Sequence, residues 1–440
     1  TDYLAEQLDT PRYVGAENLR EMVAAGEQWD IEEDTECSED AAKMIRTRLL
    51  GQVFAVAGQI VDEEVCSLED VDRGAKVGLR WARGPFELAN RLGIDSAKAM
   101  AEDYCELANF PVPEIWKRED KFSFSYVDLE ISDGIATVTI NRPEAMNALN
   151  ETVVSQLGDA LDKANSEESV RTIVLDGAGK AFVAGADVKF FVDKIRADSF
   201  PDIYDFTANG HVVQDKLESS NKTTIALTTG LALGGGLELA LACDYRIGTR
   251  KTQFRFPETS IGIFPGLGGT QRPARIAGLP AARWAVLAGN FMDARTAADL
   301  GMVTNLVDVT KVGETISMLD TQGKPAEKYP AKPMNSDSKI AKFAQAFYSD
   351  ENLSTILDGN CPEGFDPEDK LVSRQMKSLS RTAPIALRMA SDLINAAGES
   401  ELSDGLSQEL GKLEAIFSTG DALEGLSALI EGRKPTYQNS

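Results

Sequence analysis

Histidine is almost missing from this chain of 440 residues: His211 is the only one. Ser-His-Asp and Cys-His nucleophile schemes and multi-histidine metal sites therefore lack parts. His211 falls in a helix-patterned stretch before a strand, where a packed imidazole is the expected role. Cysteine is scarce too. Cys37, Cys66, Cys105, Cys243 and Cys361 are odd in number, widely spaced and without a Cys-x-x-Cys pair. Neither a disulfide framework nor a zinc site is indicated, no metal is expected, and the five are read as buried free thiols. Long apolar runs are absent, none approaching the roughly 18 residues that span a bilayer. The opening Thr-Asp-Tyr-Leu-Ala-Glu lacks the basic and apolar stretches of a secretory signal, which leaves the cytoplasm as the default expectation. Basic charge is also short, with 45 Lys and Arg against 70 Asp and Glu, a net charge of −25. Nucleic acids and anionic membranes attract basic surfaces, so neither is expected as a partner. A polyanionic ligand must find a local basic or amide-rich site. Such acidity is consistent with concentrated salt surroundings, where screening removes self-repulsion.

What is present suffices for a large core: 43% of the residues are hydrophobic, and the length suggests more than one domain. Residues 18–25, 41–65 and 96–107 carry apolar residues at helical spacing, interrupted by acidic or Gly/Pro-rich stretches such as 30–40 and Arg83-Gly-Pro85. Residues 1–117 hold 25 acidic and 12 basic side chains, about half the net charge in about a quarter of the chain. They read as a separate all-α domain, with residues 111–120, which hold two prolines and a charge cluster, as a linker. From 118 to 440 the pattern changes. Alternating runs at 126–131 and 136–140 flank Asp133-Gly134, a hairpin signal. Apolar runs at 172–175, 224–227 and 245–247 alternate with helical stretches at 153–164 and 204–217, as in a layered α/β core. After Ala281 the chain reads as helical, except for a Pro/Lys/Asp-rich interval, 323–369, that looks like an exposed insertion.

Three glycine-bearing segments follow strand-like runs: Ala184-Gly-Ala-Asp187, Gly230-Leu-Ala-Leu-Gly-Gly-Gly-Leu-Glu-Leu239, and Pro257-Glu-Thr-Ser-Ile-Gly-Ile-Phe-Pro-Gly-Leu-Gly-Gly-Thr-Gln271. Singly, each could be no more than a tight turn. None has Gly-x-Gly-x-x-Gly spacing, so a dinucleotide fold is not supported. In this order, however, with Asn141-Arg-Pro-Glu-Ala-Met-Asn-Ala-Leu-Asn150 before them and Asp421-Ala-Leu-Glu-Gly and Gly432-Arg-Lys-Pro435 after, they resemble the crotonase (enoyl-CoA hydratase/isomerase) superfamily.

That resemblance, over about 124–437, implies an α/β spiral of repeated β-β-α turns and a helical C-terminal region used in trimer formation. It implies a coenzyme A thioester as substrate, with no tightly bound cofactor. By motif position the Ala186 and Gly235 amides form an oxyanion hole, and small residues suit amides that must approach an enolate oxygen closely. Glu238 and Glu258 match the positions that hold the catalytic water, Glu258 as proton donor to Cα and Glu238 as base. Two nearby carboxyls in different protonation states can do both jobs. Having both favours a hydratase over a double-bond isomerase; a catalytically idle CoA-binding or scaffold subunit is the other alternative. Ala184, Asp187, Val188, Lys189, Gly234, Pro265 and Gly266 are further candidates for contact with the thioester and its CoA arm. Arg433 and Lys434 are candidate phosphate partners, although Gly432 stands where the family usually has another basic residue.

Residues 46–88, with Asp62-Glu-Glu-Val, Asp70-Val-Asp-Arg-Gly and Gly78-Leu-Arg-Trp-Ala-Arg-Gly-Pro-Phe-Glu-Leu88, look like the C-terminal domain of 3-hydroxyacyl-CoA dehydrogenases, and 11–26 like the tail of a preceding copy. The whole is similar to the back end of a fused dehydrogenase and hydratase. No dinucleotide motif precedes this domain and the single histidine lies outside it, so no dehydrogenase activity is expected of the chain alone. Either the domain docks a separate NAD-binding polypeptide, or the sequence is a fragment of a longer protein. Trimerisation beside a domain that dimerises in its own family suggests a homo-oligomer, a trimer or a dimer of trimers.

Overall fold

Ser38 and Ser67 each turn a hydroxyl back onto a helix-start amide, Ala41 at 3.2 Å and Asp70 at 3.1 Å, with acidic residues in both first turns complementing the helix dipole. Among the described residues of the first unit, these caps start two of five helices: α1 Glu17–Ala25, α2 Glu39–Asp62, α3 Leu68–Gly78, α4 Pro85–Leu92 and α5 Ile94–Leu107. The computed structural model describes residues 17–26, 37–118, 120–330 and 332–440, so the expectation for 11–16 and most of 30–40 lies outside the described residues. The chain divides into two units, the first ending at Phe124 and the second running from Ser125 to Ser440. In the first, α2 and α5 pack so closely at Gly51 that a Cβ there would lie 2.2 Å from the Met100 carbonyl oxygen. The core is aromatic, with the rings of Phe54, Phe86, Trp116 and Phe122 at centroid separations of 4.7–6.1 Å. Asp72, buried, takes the Phe86 and Glu87 amides at 2.8 Å each, and burial pushes its carboxyl up to about 6.

Two expectations need correction here. Residues 111–120 are not a free linker: a 3-10 turn, Glu114–Lys117, buries Trp116 completely, its indole donating to the Phe54 carbonyl at 3.0 Å. The prolines end the preceding helix but do not end the unit. The cysteines are all free, but only Cys105 and Cys243 are buried; Cys37 is exposed and Cys66 and Cys361 are half-buried.

The second unit opens with the hairpin β1 Val127–Ser132 and β2 Ile135–Ile140, whose turn residues Asp133 and Gly134 take φ of +52° and +82°. Asn150 then caps α6, Glu151–Ser166, by accepting from the Val153 amide at 2.8 Å. The strands that follow come in pairs: β3 Thr172–Gly177 with β4 Ala181–Ala184, β5 Thr223–Thr228 with β6 Leu231–Leu233, and β7 Tyr245–Gly248 with β8 Gln253–Arg255. The first of each pair joins a six-stranded sheet, β1-β2-β3-β5-β7-β10, and the second a four-stranded sheet, β4-β6-β8-β9, where β9 is Met292–Asp293 and β10 Asn305–Leu306. Strands related by one turn are parallel. Helices α7 Val188–Arg196, α8 Phe200–Glu218 and α9 Gly235–Leu241 complete the turns. This is the spiral of β-β-α turns implied by the resemblance.

The rest is helical apart from β9 and β10: α10 Arg272–Ala277, α11 Leu279–Val286, α12 Ala294–Asp299, α13 Val312–Gln322, α14 Lys339–Phe347, α15 Asp350–Leu357, α16 Lys370–Leu379, α17 Pro384–Ala396, α18 Leu402–Gly411, α19 Leu413–Phe417 and α20 Gly420–Glu431. The interval 323–369 is not simply exposed. Phe347 and Tyr348 are fully buried, and Lys328 reaches to 3.4 Å from the buried Asp244 carboxylate. Two of its lysines, Lys324 and Lys328, point inward to that carboxylate.

Candidate active site

The three glycine segments meet where strands of the smaller sheet run out into turns. Asn147, buried at φ +59°, anchors the first: its amide nitrogen donates to the carbonyls of Ala178, Ala181 and Phe182, and its oxygen accepts from the Arg142 amide. Leu149 then forms a parallel bridge with Ala186, donating to the Gly185 carbonyl at 2.9 Å and accepting from the Asp187 amide at 2.8 Å. In such a bridge the amide of the middle residue, Ala186, faces the other way. β4 pairs with β6 so that Ala184 stands opposite Leu233, and a Cβ on Gly235 would lie 3.5 Å from the side chain of Leu149, the residue bridged to Ala186. Gly234 turns at φ +46°, and α9 starts at Gly235, so the first-turn amides of that helix have no acceptor within it.

Glu238 lies one turn into α9, fully enclosed. Its Oε1 accepts from the Leu267 and Gly269 amides at 2.7 Å each, while Oε2 lies on the Gly235 side, 3.9 Å from where a Cβ on that glycine would sit. Glu258 opens a 3-10 turn, Glu258–Ile261. Its Oε1 is 2.2 Å from where a Cβ on Gly234 would sit, and its Oε2 is buried with no hydrogen-bond partner. The two carboxyls therefore face one glycine turn. Burial pushes Glu238 up to about 7, against the lowering effect of its two amide donors. Glu258 is raised well above the usual carboxylate range, first by burial and then by the charge of Glu238. Of the two, Glu258 is the carboxyl that holds a proton more readily, since burial and the charge of Glu238 both raise it. The Glu258 turn is braced by α20: Cβ atoms at Gly262 and Gly425 would each lie 2.3 Å from a backbone oxygen across the contact. That close approach accounts physically for the Asp421-Ala-Leu-Glu-Gly segment.

The remaining candidates are spread around this centre. Ala184, Ala186, Asp187 and Val188 are half-buried at the start of α7, where Asp187 caps the helix by accepting from the Lys189 amide and lies 3.6 Å from Arg142. Lys189 is exposed there. Pro265 is buried, and Gly266 packs near Leu413 and Thr207. Arg433 and Lys434 are exposed, and the Arg433 guanidinium grips Glu424 at 2.6 and 2.7 Å and Glu431 at 2.5 Å; its charge is already matched within the chain.

Sequence reading missed what holds the strap of residues 265–270. His211 donates from Nε2 to the Gly266 carbonyl at 2.8 Å and is kept neutral by burial, which pushes it down to about 4. Buried Arg272 donates to the Leu267 carbonyl at 2.7 Å and to both oxygens of Glu218 at 3.0 Å, and Tyr329 donates to the same carboxylate. Glu409, fully buried on α18, accepts from the Gly268 amide at 2.6 Å, the Thr270 amide at 3.1 Å and the Thr270 hydroxyl. One signal was available: Leu402, Leu406, Glu409 and Leu413 share one helical stripe, which puts an acid where the core begins.

Residues 135–440 match the family model described as enoyl-CoA hydratase/isomerase, and residues 44–120 that of the 3-hydroxyacyl-CoA dehydrogenase C-terminal domain. A probable enoyl-CoA hydratase of Mycobacterium bovis is 30% identical over 315 residues, 72% of this chain and 98% of that protein. A crotonyl-CoA hydratase of Syntrophomonas wolfei is 28% identical over 316 residues, with the same two coverages. In three dimensions, the crystal structure of an enoyl-CoA hydratase from Rhodobacter sphaeroides superposes with a TM-score of 0.62 at 23% identity, covering 71% of this chain and 92% of that one. It is similar in fold.

Proposed function

Because the chain belongs to the enoyl-CoA hydratase/isomerase family, we propose that it adds water reversibly across the 2,3 double bond of an enoyl-CoA thioester. The observation that carries this reading is the pair of enclosed carboxyls on one glycine turn, Glu238 with two amide donors on Oε1 and Glu258 with an Oε2 that has no partner. The thioester oxygen sits between the Ala186 and Gly235 amides, which stabilise the enolate without burying a new charge. Water lies between Glu238 Oε2 and Glu258. Its hydroxyl joins Cβ as its proton passes to Glu238, and Glu258 gives its own proton to Cα. Proton exchange between the two carboxyls then restores the starting state. An isomerase needs only one acid to move a proton along the chain; two placed on one water site favour hydration.

The coenzyme A arm runs past Ala184 to Val188, with Lys189 toward its phosphates and Pro265 and Gly266 across the acyl end. Arg433 and Lys434 reach phosphate only if Arg433 releases Glu424. Residues 44–120 serve to dock a separate NAD-binding polypeptide that oxidises the 3-hydroxyacyl product, since His211, the only histidine, lies outside them. Copurification at native salt checks this, and recovery of the chain by itself counts against it. The homo-oligomer, a trimer or a dimer of trimers, is checked by light scattering.

The deciding assay is loss of enoyl-thioester absorbance with crotonyl-CoA. Glu238→Gln and Glu258→Gln each lower kcat by roughly 10²- to 10⁴-fold. Full activity in both variants refutes the roles, and an inactive wild type with any enoyl-CoA refutes the hydratase reading.

A further inference from the structure

Four successive amides of the strap point alternately to two buried carboxylates. Leu267 and Gly269 donate to Glu238 at 2.7 Å each, while Gly268 and Thr270 donate to Glu409 at 2.6 and 3.1 Å. Both acids are essentially solvent-free, at 2% and 0% exposure. A buried carboxyl is costly unless its oxygens are paired, and the oxygens of Glu409 take two amides and the Thr270 hydroxyl. The strap has little room to adjust by itself: Gly268 sits at φ +90°, where a Cβ would strike Arg272, and a Cβ on Gly269 would lie 2.7 Å from Glu238 Oε1.

We infer that Glu409 is a positioning residue for the hydration proposed above. By taking the Gly268 and Thr270 amides from the far side, it turns the Leu267 and Gly269 amides onto Glu238 Oε1 and leaves Oε2 as the oxygen that meets water. Glu409 bonds Gly268 and Thr270 and none of the residues proposed above for the acyl group or coenzyme A, so its influence falls chiefly on the chemical step. A glutamine at 409 sets its own NH2 against one of two backbone donors. The strap then rotates, Glu238 can present either oxygen, and the near-attack geometry is lost.

The test uses the intact chain and Glu409→Gln. Binding sites are counted by titration with butyryl-CoA, which is saturated and does not react. The expected result is an unchanged dissociation constant and stoichiometry for butyryl-CoA, KM for crotonyl-CoA within about 3-fold, and kcat per binding site lower by about 10- to 100-fold. Amide exchange in residues 265–271 rises. An unchanged kcat per site overturns the inference, as does a loss that merely tracks the number of sites, because a structural role removes sites without slowing those that remain. If Glu409→Gln does not fold, Thr270→Val, which removes the hydroxyl that donates to Glu409 and accepts from the Gln271 side-chain amide at 2.9 Å, lowers kcat several-fold at constant KM and Thr270→Ser restores it; full activity in Thr270→Val overturns the inference. A wild type that binds butyryl-CoA but hydrates nothing refutes the hydratase reading instead. The positioning role is then judged by exchange alone, and unchanged protection of 265–271 in Glu409→Gln overturns it.

Discussion

At the scale of single residues, the proposed hydration requires two conditions: Glu238 ionised and Glu258 protonated. Glu238 is pushed up to about 7 by burial, so kcat rises with pH through that region, and it falls again at higher pH as Glu258, raised further by its neighbour, loses its proton. A bell-shaped profile for crotonyl-CoA hydration is expected. The limbs belong to the pair and not to either residue, and a flat profile across pH 6–9 speaks against two coupled carboxyls. Gly234 separates geometry from titration. Its φ is +46°, and any Cβ there comes within 2.2 Å of Glu258 Oε1. Gly234→Ala should therefore abolish turnover with the same force as removing a glutamate, while Gly313→Ala, on a helix surface with nothing within 4 Å, leaves turnover intact.

Among elements, what was legible depended on length and pattern. The hairpin, the long α6 and α8, and β3, β5 and β7 of the larger sheet announce themselves by alternation, helical spacing or short apolar runs. β6, β8, β9 and β10 do not, because two or three residues carry no period. Their placement comes from parallel pairing between turns of the spiral, a tertiary effect. The glutamates and the glycine turn were pointed to by the family resemblance that the glycine segments carry in their order, not by any one segment alone. Glu409, Arg272 and His211 were not, since what they do depends on a strap brought to them from far along the chain. The interval 323–369 was misread for a related reason: its lysines and tyrosine look solvated until buried partners are known. Tyr329 donates to Glu218, which clamps Arg272 and through it the Leu267 carbonyl. Removing one donor from a buried, charged partner costs about 1.5–3 kcal/mol. Tyr329→Phe should lower stability by that amount in urea unfolding while the folded enzyme hydrates crotonyl-CoA at nearly the wild-type rate, since Arg272 keeps its bidentate hold.

For the whole molecule, two different charge effects lower stability at neutral and higher pH, and salt separates them. The net charge of −25 is a self-repulsion spread over the surface, and it is screened within a few ångströms at molar salt. The second effect is buried. Glu238 and Glu409 have folded-state values of about 7 and about 8 against an ordinary 4.5. A carboxyl raised in the folded state binds a proton there that the unfolded chain has already released. Its stabilising contribution is complete below about 4.5 and is lost as pH climbs through the folded value, at about 1.4 kcal/mol for each tenfold difference in proton affinity between the two states. His211, pushed down to about 4, acts oppositely and only below its ordinary 6.5, so between pH 6.5 and 8.5 the buried acids decide the slope. Thermal midpoints measured across that window should rise with added KCl at every pH, and the downward slope should persist at 2 M KCl because ions do not reach enclosed groups. Glu409→Gln, with one such acid removed, should flatten the high-salt slope. A slope that vanishes in 2 M KCl for the wild type would place all of the pH dependence on the surface and none in the carboxylates around the strap.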